Sequence, residues 1–225
     1  DLIQAFLDMT GVDVNQPIDL PGYVALAGIT RTAGYDEGVF IANLVSGQAF
    51  VDQIVARGPV AIALFNAGYG IDVTLPFADI AGDIAGVLGD PAITGAQVLA
   101  NLDLMTGLIG EVTTHSPEEI AFFETAFSIT NIAGPAYTQA DYNALLGVIT
   151  GLTYTDAAAA GALLTANYSL YAAVRDSGDA ALIQAFLDMT GVDVTQPIDL
   201  PGYVALAGIT GVPGTTRRTS SLTWS

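Results

Sequence analysis

Apolar residues along this chain mostly step by three or four positions and rarely alternate. That spacing gathers them on one face of an α-helix rather than on one side of a strand. Ile62 and Phe65 stand at i and i+3, and Ile120 and Phe123 repeat the pair. The pattern predicts helices around both pairs, and further helices over Val39–Val55, Phe77–Leu88, Ala96–Val112, Asp141–Ile149 and Ala157–Val174. Val and Ile are plentiful enough to make strands the competing expectation, but strict alternation is missing.

Local punctuation agrees with helices. Ser116-Pro117-Glu118-Glu119 has Ser at an N-cap, Pro at the first helical position and Glu at the third, which is the capping-box pattern. Gly58-Pro59 is a weaker start in a similar place. A Gly-x-Asp-Val-Thr/Asn block recurs at Gly11, Gly70 and Gly191, with a worn version at Gly134–Thr138. Its glycine suits a left-handed helix end, and its Thr or Asn is expected to cap the next helix. Gly82, Gly86, Gly107 and Gly161 fall inside expected helices. Each costs about 1 kcal/mol against Ala, so they are read as places where helices approach closely.

The same blocks expose a repeat. Residues 1–30 recur at 181–210 with 28 of 30 positions identical, the exceptions being Asp1/Ala181 and Asn15/Thr195. Within this 180-residue period, a shift of 58 brings Ala42-Asn43-Leu44 onto Ala100-Asn101-Leu102, and Ile62 and Phe65 onto Ile120 and Phe123. Ala166-Asn167-Tyr168 and Ile183–Phe186 read as a third copy. Such periodicity decides architecture before any motif does. The expected fold is all-α: tandem three-helix repeats of about 60 residues, stacked as a solenoid or compact helical bundle. The repeat region spans 1–210, and residues 211–225 (GVPGTTRRTSSLTWS) form a polar C-terminal tail.

Composition narrows the function. Hydrophobic residues make up 52% and mean hydropathy is +0.53, which excludes disorder over most of the length. There are 23 acidic residues against 5 basic, for a net charge of −18. A charge of this sign repels phosphate backbones and anionic lipid, so no nucleic-acid partner is expected. Cysteine is absent, which removes disulfides, zinc–thiolate sites and thiol nucleophiles. Lysine is absent too, and with it Schiff-base chemistry. No signal peptide is read at Asp1-Leu-Ile-Gln. Ala157–Val174 is uncharged but Ala-rich, and is read as a buried helix with no membrane insertion.

Candidate chemistry is thin. His115, the sole histidine, precedes the Ser116 cap and reads as a solvated loop residue rather than a general base. Glu118/Glu119, Asp79/Asp83 and Asp36/Glu37 are carboxylate pairs whose plainer role is helix N-terminal charge. Asp13, Asn15 and Asp19 imitate the start of a calcium loop, but Pro17 interrupts it and no closing Glu follows. Asn43, Asn101 and Asn167 sit within apolar helices and are expected to be buried and bonded to neighbouring backbone. No catalytic residue, metal site or cofactor is assigned.

The combination of a long homogenised repeat, helical units and sparse reactive chemistry resembles, in architecture alone, the structural repeats of extracellular fibres and large adhesins. The expectation is a non-enzymatic structural or adhesive repeat protein, secreted or at the cell surface. It would associate with itself, as a homo-oligomer or filament, through its repeat ends. The alternative is a carrier holding an apolar small molecule between helices, lined by the nine Phe and nine Tyr.

Overall fold

The computed structural model describes residues 2–31, 36–134, 136–151 and 156–211. These form eleven helices and no strand. They are α1 (Leu2–Thr10), α2 (Leu20–Thr30), α3 (Glu37–Ala56), α4 (Pro59–Tyr69), α5 (Phe77–Leu88), α6 (Gly95–Val112), α7 (Pro117–Phe127), α8 (Gln139–Gly151), α9 (Ala157–Asp176), α10 (Ala180–Thr190) and α11 (Leu200–Thr210). The helices expected from apolar spacing are all present, within a few residues of their predicted ends. Every third helix is long: α3, α6 and α9 have 20, 18 and 20 residues. The tail from 212 onward lies outside the described residues.

Start signals work as the chemistry requires. At α7, Ser116 Oγ accepts from Glu119 N while Glu119 Oε2 accepts from Ser116 N. Thr94/Gln97 at α6 and Thr138/Asp141 at α8 make the same reciprocal pair. Gly58 starts α4 with a positive φ of 91° and no side-chain cap. Gly11, Gly70 and Gly191 take positive φ after α1, α4 and α10, as expected.

Two local expectations are corrected. Thr74 and Thr195 do not cap helices. Each donates both its N–H and its hydroxyl to the Asp two residues earlier, and Asn15 N–H does so to Asp13. These tight turns precede the helices by several residues, with a proline between. Asp19 and Asp199 cap α2 and α11 instead, accepting from Gly22 N and Gly202 N. Nor does Gly134 take the left-handed position after α7. Ser128 does, at φ 55°, and Pro135 of that block lies outside the described residues.

The described parts of the chain group into two compact bodies, one from residues 1–107 and 133–149, the other from 108–132 and 150–225. In the first, α1, α3 and α5 pack against one another, with α4 against α3 and α2 against α1. Tyr142 of α8 lies edge-on to Tyr69 of α4. In the second, α7, α9 and α11 pack mutually, with α10 against α9 and α11.

The long helices bury matched stripes. Leu44, Gly47, Val51 and Ile54 face inward on α3, and Leu102, Met105, Ile109 and Val112 on α6. Leu164, Asn167, Tyr171 and Val174 do so on α9. In this register Asn43 and Asn101 correspond to each other, but Asn167 lies one helical turn later. The burial expected of all three therefore holds for Asn167 alone. Asn43 is exposed and Asn101 half-buried, because each sits beside its stripe rather than in it.

Helix α9, expected to be a buried helix, buries this stripe and leaves much of its remaining circumference open. Gly38–Ala56 and Ala157–Asp176 are each long and apolar enough, by length and composition, to cross a membrane. Close approach holds for Gly161 but not for Gly82 or Gly86, which have nothing within 4 Å of where a Cβ would stand.

Candidate functional site

The richest side-chain arrangement is a seat for one helix on two others. Three phenylalanines of α7, Phe122, Phe123 and Phe127, are buried. Tyr203 of α11 enters among them, with ring centroids 4.9 Å from Phe127, 5.8 Å from Phe122 and 6.1 Å from Phe123. Tilted and edge-on contacts of this kind add to the gain from burial itself. That gain is about 1.5–3 kcal/mol for a fully buried side chain of phenylalanine size. Burial also pushes the Tyr203 phenol well above its usual pKa, because the ionised form would lose its hydration.

Helix α9 supplies the polar half of the seat. The Asn167 side chain is fully buried. Its Nδ2 donates to the Tyr203 carbonyl at 3.3 Å, and its Oδ1 accepts from the Thr210 hydroxyl. The Tyr171 hydroxyl donates to the Gln196 carbonyl at 2.8 Å, fixing the loop that leads into α11. The seat thus grips its helix at the entry loop, the first turn and the last turn.

Helix α2 has the sequence of α11, LPGYVALAGIT, but not its surroundings. Local structure is the same in both copies. Thr10 and Thr190 bond back to Phe6 and Phe186 carbonyls at 2.7 Å, and the aspartate caps match. Burial is opposite. Val14, Ile18 and Tyr23 are 54%, 52% and 62% exposed, where Val194, Ile198 and Tyr203 are 1%, 6% and 1% exposed. Ile3 is 45% exposed and Phe6 half-buried, against a buried Phe186. The side chain of Leu2 lies outside what is described.

His115 is not the solvated loop residue expected from sequence. Its side chain is only 14% exposed, between Glu111 (Nε2 to Oε1, 3.7 Å) and Glu119 (Nδ1 to Oε2, 3.5 Å). Thr165 of α9 donates to Glu119 Oε1 at 2.9 Å. Burial works to raise the Glu119 pKa. Hydrogen bonds from Ser116 and Thr165, and attraction to His115, outweigh it and hold the carboxyl below its usual range. A Cβ on Gly161 would meet the Glu111 side chain, coming 2.8 Å from its Cγ. Glu111 and Glu119 lie four residues either side of His115, a spacing visible in sequence. The parts of Gly161 and Thr165, fifty residues on, were not.

The remaining carboxylates are dispersed. Asp36 caps α3 by accepting from Val39 N, and the Glu37 side chain lies outside what is described. Asp79, Asp83 and Glu118 are exposed. Asp13 and Asp19 are engaged in their turn and cap. Among the described residues, no group of three or more His, Asp or Glu side chains is placed to hold a metal ion. Open clefts among the described residues include one of about 270 Å³ beside Phe122, Tyr168 and Tyr171 and one of about 450 Å³ beside Tyr69, Gly82 and Asp83. None of the family models, curated proteins or solved structures compared with this chain matches it.

Proposed function

We propose that this chain is a non-enzymatic structural or adhesive tandem-repeat protein of the cell exterior, which works by stacking helical units and associating with itself. One observation carries the reading: two near-identical segments, one with its apolar face covered and the other with that face open to solvent. A repeat unit buries part of its apolar surface only against a neighbour, and the two ends differ in the way this predicts.

The underlying unit is three helices of short, short and long form. The recurring lengths and the matched stripes of α3, α6 and α9 support it. So does the packing. The trio α1, α3 and α5 and the trio α7, α9 and α11 each join the first and long helices of one unit to the second helix of the next. Neighbouring units would thus interlock by exchanging a helix rather than abutting.

The carrier alternative is less well supported, since Phe122, Phe123, Phe127 and Tyr203 pack on one another in the seat rather than around a cavity. The test is sedimentation velocity and electron microscopy of the full chain across micromolar to millimolar concentration. Concentration-dependent oligomers or filaments are the expected outcome; a monodisperse monomer throughout would overturn self-association.

A further inference from the structure

The open face of α2 has an identifiable occupant, because the same helix is seen seated elsewhere in the same chain. All eleven residues of α2 recur in α11, and the loop ahead of it differs only at Asn15/Thr195. Side chains that pack well in one copy therefore have the shape and chemistry to pack in the other. Position by position, Val194 and Ile198 of the loop and Tyr203 and Leu206 of α11 are buried, whereas their counterparts Val14, Ile18, Tyr23 and Leu26 are wholly or partly open. Tyr203 stands among the α7 rings, and Ile198 lines a cleft with Phe122 of α7 and Tyr171 of α9.

We propose that α2 docks, through Val14, Ile18, Tyr23 and Leu26, on the α7–α9 seat of a second copy of the repeat. Its Tyr23 ring would stand among Phe122, Phe123 and Phe127, its backbone carbonyl would accept from Asn167, and its Thr30 hydroxyl would donate to Asn167. The Gln16 carbonyl would accept from Tyr171. This rests on the tandem-repeat reading above and specifies its joint.

Mass action determines where the joint forms. Within one chain the seat is filled by its own α11, which is tethered at millimolar effective concentration. An incoming α2 offers the same contacts without the tether. A stable interface between free partners is expected to bury roughly 1,000 Å² or more, and this joint is one eleven-residue helix with its entry loop. The joint is therefore strong when a copy of α7–α9 precedes α2 in the same polypeptide, and weak between separate chains with intact α11.

The test adds residues 108–180 directly ahead of Asp1 in the full chain, so that Asp1 takes the place of Ala181. Tetranitromethane nitrates exposed tyrosines, and tryptic cleavage at Arg31 and Arg217 separates the Tyr23 peptide from the Tyr203 peptide. In the parent chain Tyr23 should react much faster than Tyr203. In the extended chain its rate should fall by about tenfold or more, as protection follows the undocked fraction. Reaction at the parent rate, with the added segment protected from hydrogen exchange, overturns the proposal.

If the added segment does not fold, the full chain with Tyr203→Ala decides. Loosening its own α11 should make it associate beyond the parent, and adding Tyr23→Ala should abolish the gain. Equal association of the single and double variants, or none from a folded single variant, overturns the docking. Oligomers of the parent chain with Tyr23 still reactive in the extended chain would leave the structural reading standing and remove this joint. Protection of Tyr23 beside a monomeric parent would keep the joint and remove self-association.

Discussion

Asn167 shows how one polar side chain in an apolar stripe is retained. It is fully buried and spends both ends of its amide on α11, at Tyr203 and Thr210. Asn167→Ala removes both of these hydrogen bonds and leaves a void in a fully buried stripe, and should cost about 1–3 kcal/mol in urea unfolding. Asn43→Ala, on an exposed position, should stay within about 0.5 kcal/mol. Glu119 gives a pH prediction. Its folded pKa lies below the unfolded value, so its contribution is present above the unfolded pKa and lost as pH falls through the folded one. Stability should therefore drop on acidification below about pH 4.5, and Glu119→Gln should flatten that drop. The mirror case is Tyr203, whose raised phenol pKa keeps it neutral in the fold while an unfolded chain ionises near pH 10. Stability should fall above that pH, and less steeply in Tyr203→Phe.

At the scale of elements, most boundaries were legible because they are written in local chemistry. Ser116-Pro-Glu-Glu, the αL glycines and the i, i+3 apolar pairs act within a turn or two of themselves. The misreadings have local causes as well. Thr74, Thr195 and Asn15 resemble caps, but an aspartate two residues earlier takes their donors into a tight turn. Ser128 tolerates the left-handed position that glycine holds elsewhere. Helical glycines divide by surroundings that sequence does not display. Gly82→Ala and Gly86→Ala in α5 meet nothing within 4 Å and should each stabilise by about 0.5–1 kcal/mol. Gly161→Ala drives a methyl into the Glu111 side chain and should cost about 1–3 kcal/mol in thermal or urea unfolding. The double variant with Glu111→Ala should recover part of that loss.

For the whole molecule, the informative quantity is which faces find partners. Helices α1, α3 and α5 close on one another, and so do α7, α9 and α11. In each trio the third member comes from beyond the next loop and short helix, so no trio is complete within sixty consecutive residues. Association should thus need the seat, with like-charge repulsion between chains opposing it. Raising salt screens the −18 charge and should promote assembly of the full chain in sedimentation, whereas Tyr23→Asp should oppose it at every salt concentration.

The sequence alone determined the helical class, most helix boundaries, the capping box at Ser116 and the equivalence of residues 1–30 with 181–210. All of these follow from interactions within a few residues or from direct identity. Only tertiary structure decided which copies are covered. Tyr23 and Tyr203 have the same neighbours in sequence and the same helix around them, yet one is 62% and the other 1% exposed. The same holds for Asn43 and Asn167, which share a local Ala-Asn pattern and differ by one turn in register against the stripe their helices bury. Helical spacing fixes which residues share a face, but burial depends on another element arriving at that face. Here that element comes from a different part of the chain, and no local pattern records whether it is there.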